Sequence, residues 1–589
     1  MNFGPDVDSL GERLRFKRRD MPKRNFLAEK CLKSLVVFAN SINFVVSMAK
    51  YQKKTKPVEV KTVAKETAKE TSKGGRKAPL LLPVVPLFFV AVWLWAWLWY
   101  GDVFTIAREY SFWSPNAVLM RFMEGRPWGA LWWAGRALLS LFRWPALGGA
   151  LLALMVSLSA WLVGYCLRLR GWWRLLQYLP SAAFLWFVAY IAFDLYYESE
   201  PGMVMGVPLM ATIVLLLLAL IIRSFSRHHT FPSLICPPKD ETKWQNWSQL
   251  LLALLSVGIT MGITQWKRPY VRVVTTMQRQ MMEEDWRGMV KTARANSDLS
   301  YRQISAYYAI ALVHTGELGD RLFDIHLDYD EPHLHGYQGE VTNAANYYIP
   351  DCDLYAGLVQ PAIHHAMERM TMDGPTLRSL RLLTKAALLR SEWEVAAKYL
   401  RILEHVPFEG KFVQRYKPML RHPELVNADP EFAAIRQVEP LHDNFENMLT
   451  QPTFLGYNAS LSEGRSMQAL QNSLIVHLYT KTMPQFMLRC QALRGQTPPQ
   501  SVAEALLLMS GKYPQVLQAF PTLEYNKSRL LNFMQDVKPY MGSHEKRAEH
   551  ALELLPKWKG YYPYYYFFGN LKATKRKDNN AGTSNQGVN

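Results

Sequence analysis

The stretch from Leu80 to Trp266 alternates long uncharged runs with short charged interruptions, and this pattern constrains the fold more than any other feature. Its first run, LLLPVVPLFFVAVWLWAWLWY, has the roughly 20 uncharged residues that a helix needs to cross a bilayer. A run that is apolar on every side gains nothing in water, because only one face of a surface helix is buried there. The sequence therefore predicts a transmembrane domain, over residues 78–266.

The uncharged runs predict about five crossings. These are Leu80–Tyr100, Trp144–Leu167, Leu175–Phe193, Met203–Ile222 and Gln249–Trp266. Between the first two, Pro127–Phe142 has its apolar residues on one broad face with Arg136 opposite, which predicts a helix lying in the membrane interface. In the last crossing, Gly258 and Gly262 form a GxxxG pair that would let another helix approach closely.

Residues 1–77 form a basic amino-terminal tail that includes RLRFKRR. The tail lacks the charged segment, apolar segment and cleavage site of a signal peptide in the required order. Its uncharged run at 35–49 is short for a crossing and favours an amphipathic surface helix. The net charge of +19 is accordingly attributed to lipid contact and topology, and nucleic acid is not an expected partner.

The short loops predict the orientation, because Lys and Arg flanks stay in the cytoplasm. RLRGWWR and RSFSRHH are then cytoplasmic, together with the amino terminus, whereas DLYYESE lies outside. Five crossings place everything after Trp266 on the outer side, which is the periplasm if the membrane is a bacterial inner membrane.

Residues 267–571 change to amphipathic helical repeats, followed by a polar tail at 572–589 that is expected to be disordered. Helical hairpins are predicted at Asp285–Gly316, at 382–407 with a turn near Ser391, and at Ser501–Pro521. Such hairpins cannot bury their apolar faces alone, so they predict a stacked solenoid of tetratricopeptide-like type. The expected fold class is all-α, with a polytopic transmembrane domain followed by an α-helical hairpin solenoid.

Three motifs carry a resemblance to a family: EDWRGMVKTAR, GELGDRLFD and the terminal YYPYYYFFGN. Together with the basic-flanked crossings, they resemble an uncharacterised family of multi-pass membrane proteins from Bacteroidota, over Leu80 to about Leu571. The resemblance implies a bacterial inner-membrane protein with a helical outer domain and implies no particular activity.

Two sets of residues are candidates for chemistry. Acidic residues on the first outer loop, Asp102, Glu109 and Glu124, could bind a metal or deprotonate an acceptor, as acidic loop residues do in polyprenyl-dependent sugar transferases. HLDYDEPHLHG contains His326, His333 and His335, which are suitable zinc ligands at a spacing that matches no established site. A solvated loop explains each set more simply, so neither a metal nor a cofactor is expected.

The aromatic ending offers flat amphipathic rings for protein recognition or for an interface belt. Its candidate partner-binding residues are Tyr561, Tyr562, Tyr564, Tyr565 and Tyr566. Some rings are instead expected to cap the last hairpin, with Phe567 and Phe568 buried and the Tyr561–Tyr562 pair exposed, because tyrosine hydroxyls need water or another partner.

The sequence favours a membrane-anchored scaffold whose outer helical domain binds another envelope protein, with the lipid bilayer as its second partner. The alternative is an integral-membrane enzyme that acts on a lipid-linked or cell-envelope substrate through the loop carboxylates.

The alternation of basic and acidic loops makes the topology testable. Reporter fusions after Leu167 and Ile222 should behave as cytoplasmic, and fusions after Phe193 and Trp266 as periplasmic. A cytoplasmic signal after Trp266 would contradict the model of five crossings.

Overall fold

The structure is a computed structural model that describes residues 82–569 except 199, 227–229, 232, 235–240, 298, 300–301, 326–348, 440–465, 480, 544–546, 548–553 and 555. For residues 190–198, 302 and 372–373 only the backbone is described. The basic tail with its run at 35–49, the histidines of HLDYDEPHLHG and the polar tail at 572–589 lie outside the described residues. Every regular element within them is helical.

The first seven helices cover most of the predicted membrane domain. They are α1 Val84–Leu94, α2 Gly101–Glu109, α3 Gly129–Leu139, α4 Pro145–Cys166, α5 Leu179–Glu198, α6 Met203–Phe225 and α7 Lys243–Lys267. Among the described residues, α4, α6 and α7 are long and apolar enough to cross a membrane, and the α1–α2 pair adds a fourth span if it counts as one. α5 lies where the third crossing is predicted, after a 3-10 segment at Gly171–Tyr178.

The first predicted crossing is not a straight helix. α1 continues as a π-helix over Trp95–Trp99, and the axis then bends by 66° into α2. π-helical turns and sharp bends occur where the regular hydrogen-bond ladder is interrupted. The bend gives α2 its own direction and allows Asp102 and Glu109 to reach later helices.

The exposed side chains of the spans match a lipid environment. On α6 the outward residues are apolar, including Ile213, Val214, Leu217, Leu220 and Ile221. A patch of this kind promotes aggregation in water but is solvated by acyl chains. Trp172, Trp173, Trp244 and Trp247 are exposed near the ends of helical segments, as in the aromatic belt of membrane proteins.

Helix α3 packs on α6 instead of lying with Arg136 turned outward. A Cβ on Gly135 would lie 2.1 Å from the carbonyl oxygen of Gly202, so the two backbones touch. Arg136 is buried, donates to the Phe112 carbonyl and forms an ion pair with Glu200. The predicted outward position of Arg136 is wrong, because Glu200 supplies the counter-charge that makes its burial possible.

The remaining helices form the second half of the chain. They are α8 Pro269–Met282, α9 Trp286–Ala295, α10 Arg302–Thr315, α11 Leu318–Arg321, α12 Ile349–Tyr355, α13 Val359–Asp373, α14 Leu377–Leu389, α15 Trp393–Glu404, α16 Gly410–Tyr416, α17 Glu424–Ala428, α18 Pro430–Val438, α19 Met467–Tyr479, α20 Met483–Cys490, α21 Gln500–Ser510, α22 Gln515–Ala519, α23 Lys527–Val537 and α24 Tyr562–Phe568. The pairs α9–α10, α14–α15 and α21–α22 match the three hairpins expected from the sequence.

Four of the turns between these helices have the same backbone conformation. Each has a left-handed residue, namely Glu284, Gly357, Ser391 or Lys481. In each, the next residue has ψ of 69° and donates its N–H to the carbonyl five positions earlier, which is the outer hydrogen bond of a Schellman helix end. The next helix begins one residue later in each case.

The two halves share one core. Buried apolar residues from Val84 to Tyr565 form a single continuous cluster. The connection runs through α2, which packs against α8 and α14, and through the Leu377 N–H, which donates to the Ser111 carbonyl at 3.0 Å. The helices of the second half therefore pack directly against the membrane half.

The close approach at Gly135 leads to a prediction. Gly135→Ala should lower the stability of the purified protein by about 2 kcal/mol, because overpacking a tight contact forces the backbones apart. Thermal unfolding in detergent measures the change. Gly258→Ala is the matched control, since a Cβ there meets nothing within 4 Å. An equal loss in both variants would show that the α3–α6 contact is unimportant.

Candidate functional site

Glu109, one of the candidate catalytic carboxylates, lies in a closed ring of buried charges. The ring consists of Arg108, Glu109, Arg381 and Glu409. Arg108 donates to Glu109 Oε1 at 2.7 Å and to Glu409 Oε1 at 2.6 Å. Arg381 donates to Glu109 Oε2 at 2.8 Å and to Glu409 Oε2 at 2.6 Å and 2.8 Å. Each carboxylate thus bridges both guanidinium groups.

Three members of the ring are buried, Arg381 is partly exposed, and the two positive and two negative charges balance. Glu109 is 2% exposed and Glu409 1% exposed. Burial alone would lower the pKa of the Arg381 guanidinium, but the charges of Glu109 and Glu409 raise it above its ordinary value. Two positive and two negative groups offset the desolvation cost only while all four are present. The geometry makes Glu109 a structural group, since both of its oxygens are occupied by cations.

Asp102 and Glu124 have different surroundings. Asp102 lies seven positions before Glu109, on the same side of α2. It accepts from Arg279 Nε at 2.8 Å and from Thr276 Oγ1 at 2.7 Å, which fastens α2 to α8. Glu124 is exposed after the 3-10 turn Arg121–Met123. Of the three candidates, Glu124 is the one whose carboxylate faces solvent.

Glu431 on α18 is a further buried carboxylate, which the sequence reasoning missed. It accepts hydrogen bonds from Tyr355 at 2.7 Å and from Tyr416 at 2.6 Å, and it forms an ion pair with Lys385. Burial by itself would raise the pKa of Glu431, but the charge and hydrogen bond of Lys385 and the two tyrosine hydroxyls lower it to about 2.

The helical spacing around Glu431 could have revealed it. Glu431, Ile435 and Val438 share the buried face of α18. A carboxylate at such a position has to be paired, since an isolated buried charge is very costly. Its partners on α12, α14 and α16 are distant in sequence, so their identity is decided by the fold.

The aromatic ending is mostly internal. Tyr562 packs against Phe323 with ring centroids 5.2 Å apart, and its hydroxyl donates to the Leu478 carbonyl at 3.2 Å. The Tyr565 hydroxyl donates to the Tyr479 carbonyl at 2.9 Å. This segment therefore closes the end of the α19–α21 helices.

The exposure expected of the Tyr561–Tyr562 pair is wrong. Tyr561 is 2% exposed and Tyr562 0% exposed. Backbone carbonyls provide the hydrogen-bond partner that the Tyr562 hydroxyl would otherwise find in water, so the ring can be buried whole. Among the predicted partner-binding residues, Tyr564 and Tyr566 keep part of their surface exposed.

Metal ligands and thiols give no alternative site in the part of the chain that the structure describes. No group of three or more His, Cys, Asp or Glu side chains there is placed to hold a metal ion. Cys352 and Cys490 are both buried free thiols.

An open groove of about 550 Å³ lies beside the α14–α15 hairpin, between α15 and the 3-10 segment Lys417–Leu420. Its apolar floor includes Ala397, Leu400 and Leu420. Leu400 is buried, whereas Ala397 and Leu420 are partly exposed. The floor can therefore accept a small apolar side chain without rearrangement.

The rim of the groove is charged. Arg401, Lys417 and Arg421 contribute three cations, and Glu394 and Glu404 contribute two carboxylates. Lys417 forms an ion pair with Glu404 at 2.6 Å. An apolar floor with a mixed polar rim is the usual anatomy of a protein-recognition surface.

The charged ring leads to a prediction about Glu409. Glu409→Gln should destabilise the protein by about 3 to 5 kcal/mol, because one carboxylate of the ion network is lost while the buried Arg108 and the partly exposed Arg381 keep their charges. Thermal unfolding in detergent gives the readout. Glu124→Gln is the control and should leave the melting temperature unchanged. If the Glu409 variant has the same melting temperature as the unmodified protein, the ring does not join the two halves.

The aromatic ending allows a paired comparison. Tyr562→Ser should cost about 3 to 5 kcal/mol, as expected when a large buried ring is truncated. Tyr566→Ser should cost clearly less, since Tyr566 is only partly buried. The same unfolding assay separates them, and similar small losses would exclude a capping role.

The comparisons with known proteins identify one family. No curated protein and no solved structure matches the chain. The family described as a family of unknown function, DUF6057, matches residues 184–569, which include α6 to α24 and exclude the basic tail. Because the match covers more than half of the sequence, the chain belongs to the DUF6057 family.

Proposed function

We propose that the protein is a membrane-anchored scaffold whose outer helical domain binds another envelope protein. The observation that carries this proposal is the groove beside α14–α15. It combines an apolar floor with a charged rim, and it is the kind of surface that fits an extended segment or a helix of a partner.

The proposal includes a solenoid of tetratricopeptide-like hairpins. The four turns of common geometry support it, and the left-handed residues Gly357 and Ser391 are 34 positions apart, which is the tetratricopeptide period. Stacked hairpins present extended concave surfaces for recognition.

The proposal also includes the topology expected from the loops. About five crossings, counting α5 and the bent α1–α2 pair, leave the outer domain in the periplasm of a bacterial inner membrane. The lipid-facing side of α6 and the exposed tryptophans support insertion in a bilayer.

The alternative of an integral-membrane enzyme rests on the loop carboxylates, and the geometry weakens it. Asp102 and Glu109 are held by cations and a hydroxyl, so proton transfer through them would require breaking these contacts. Alanine at Glu109 would also damage the ring, and its phenotype would not distinguish catalysis from structure. Glu124→Ala remains the clean test of catalysis.

The scaffold proposal is tested by charge reversal at the groove. We expect Arg401→Glu to reduce co-purification of the partner severalfold, in mild detergent and with quantification by mass spectrometry. Lys398→Glu is the matched control, because Lys398 is exposed on the same helix and is not part of the groove. If the amount of co-purified partner is unchanged in both variants, or falls equally in both, the partner is not recognised through this groove.

A further inference from the structure

Phe408 is an exposed aromatic residue in an unfavourable backbone conformation. Its φ is +72°, in the left-handed region that bulky residues rarely adopt. Its ring is 39% exposed, although it belongs to a loop of the outer half. Exposing a large apolar ring to water and holding its backbone at positive φ both cost free energy. The surroundings of Phe408 therefore have to supply a compensating interaction.

The loop that carries Phe408 is held at both ends. At one end, the Ser114 hydroxyl donates to the His405 carbonyl at 2.7 Å. At the other end, Glu409 belongs to the charged ring and accepts from Arg108 at 2.6 Å. Arg108 is near the end of α2 and Ser114 is in the segment that follows it, so both contacts come from the membrane half. The loop therefore has a fixed position relative to the spans.

The ring of Phe408 meets a tryptophan at the end of a membrane span. Phe408 and Trp144 are in edge contact, with ring centroids 4.8 Å apart. Trp144 directly precedes Pro145, the first residue of α4, and is itself 51% exposed. Tryptophans at the ends of membrane spans lie at the level of the lipid headgroups. Contact with Trp144 puts Phe408 at the same depth.

We infer that the loop 405–409 is a membrane-docking element, which inserts Phe408 into the interfacial region of the bilayer beside Trp144. The partner is the lipid itself, in the leaflet at the Trp144 end of α4. Insertion explains why an aromatic ring is kept exposed in a strained loop whose two ends are fixed. It also holds the outer domain, including the groove, at a set distance from the membrane. The inference depends on α4 being a span and does not depend on the proposed partner protein.

Spin labelling tests the inference in the full-length protein, reconstituted at one copy per nanodisc of phosphatidylethanolamine and phosphatidylglycerol. The background has its five native cysteines replaced by serine or alanine. A label on Phe408→Cys should show a ratio of oxygen to nickel-chelate accessibility severalfold above that of Leu488→Cys and Leu531→Cys. Both controls are exposed apolar positions of the outer half, on α20 and α23. Leu217→Cys on α6 gives the value for lipid.

The outcomes are distinct. A ratio at 408 equal to that at 488 and 531 would overturn the inference, because it would place the ring in water. A label inaccessible to both agents would also overturn it, since protein would then cover the loop. Elution volume and melting temperature verify folding. If Phe408→Cys fails to fold, a label on Pro407→Cys, which is partly exposed beside it, gives the same readout.

Discussion

The closed ring of Arg108, Glu109, Arg381 and Glu409 is the interaction on which the relation of the two halves depends. Charges taken out of water are tolerated only when every member finds its counter-charge in good geometry. This condition fixes the register of three segments at once: the end of α2, the middle of α14 and the loop before α16. Asp102, two turns earlier on α2, adds a second attachment to α8. Helix α2 is thereby attached to the second half of the chain at both of its ends.

This attachment gives the second half of the chain a defined position relative to the membrane half. A domain joined only by a linker would sample many orientations, whereas one that shares a continuous apolar core with the spans does not. The buried Glu431 likewise holds four helices together. Its carboxylate on α18 accepts hydrogen bonds from side chains of α12, α14 and α16. The groove beside α15 is built on this rigid part. For the proposed scaffold role, a preformed surface lowers the entropy cost of binding.

The spacing of apolar residues along the chain predicts the helices and turns that depend on local sequence alone. The spans α4, α6 and α7 follow from uncharged runs, and the turn at Ser391 follows from the change of apolar phase between two helices. The misses share one cause. Solvent exposure was predicted for Arg136, Glu109 and Tyr562, because their polar groups need hydrogen-bond or charge partners. In each case the fold supplies that partner from a remote segment. The 66° bend after Trp99 coincides with the end of the uncharged run, so the sequence marks its place but not the direction that α2 takes.

The sequence by itself determined the membrane association, the helical class and the hairpins, since these depend on the length and spacing of apolar residues along the chain. Only the tertiary structure decided which polar groups are buried and what they bind. Glu109 and Glu124 have the same side chain and the sequence predicts both on one loop, yet Glu109 ends α2 between two guanidinium groups while Glu124 faces solvent. The difference arises from residues near 381 and 409, some 270 to 300 positions away. No local pattern encodes such a pairing, because its energy exists only once the two segments have been brought together.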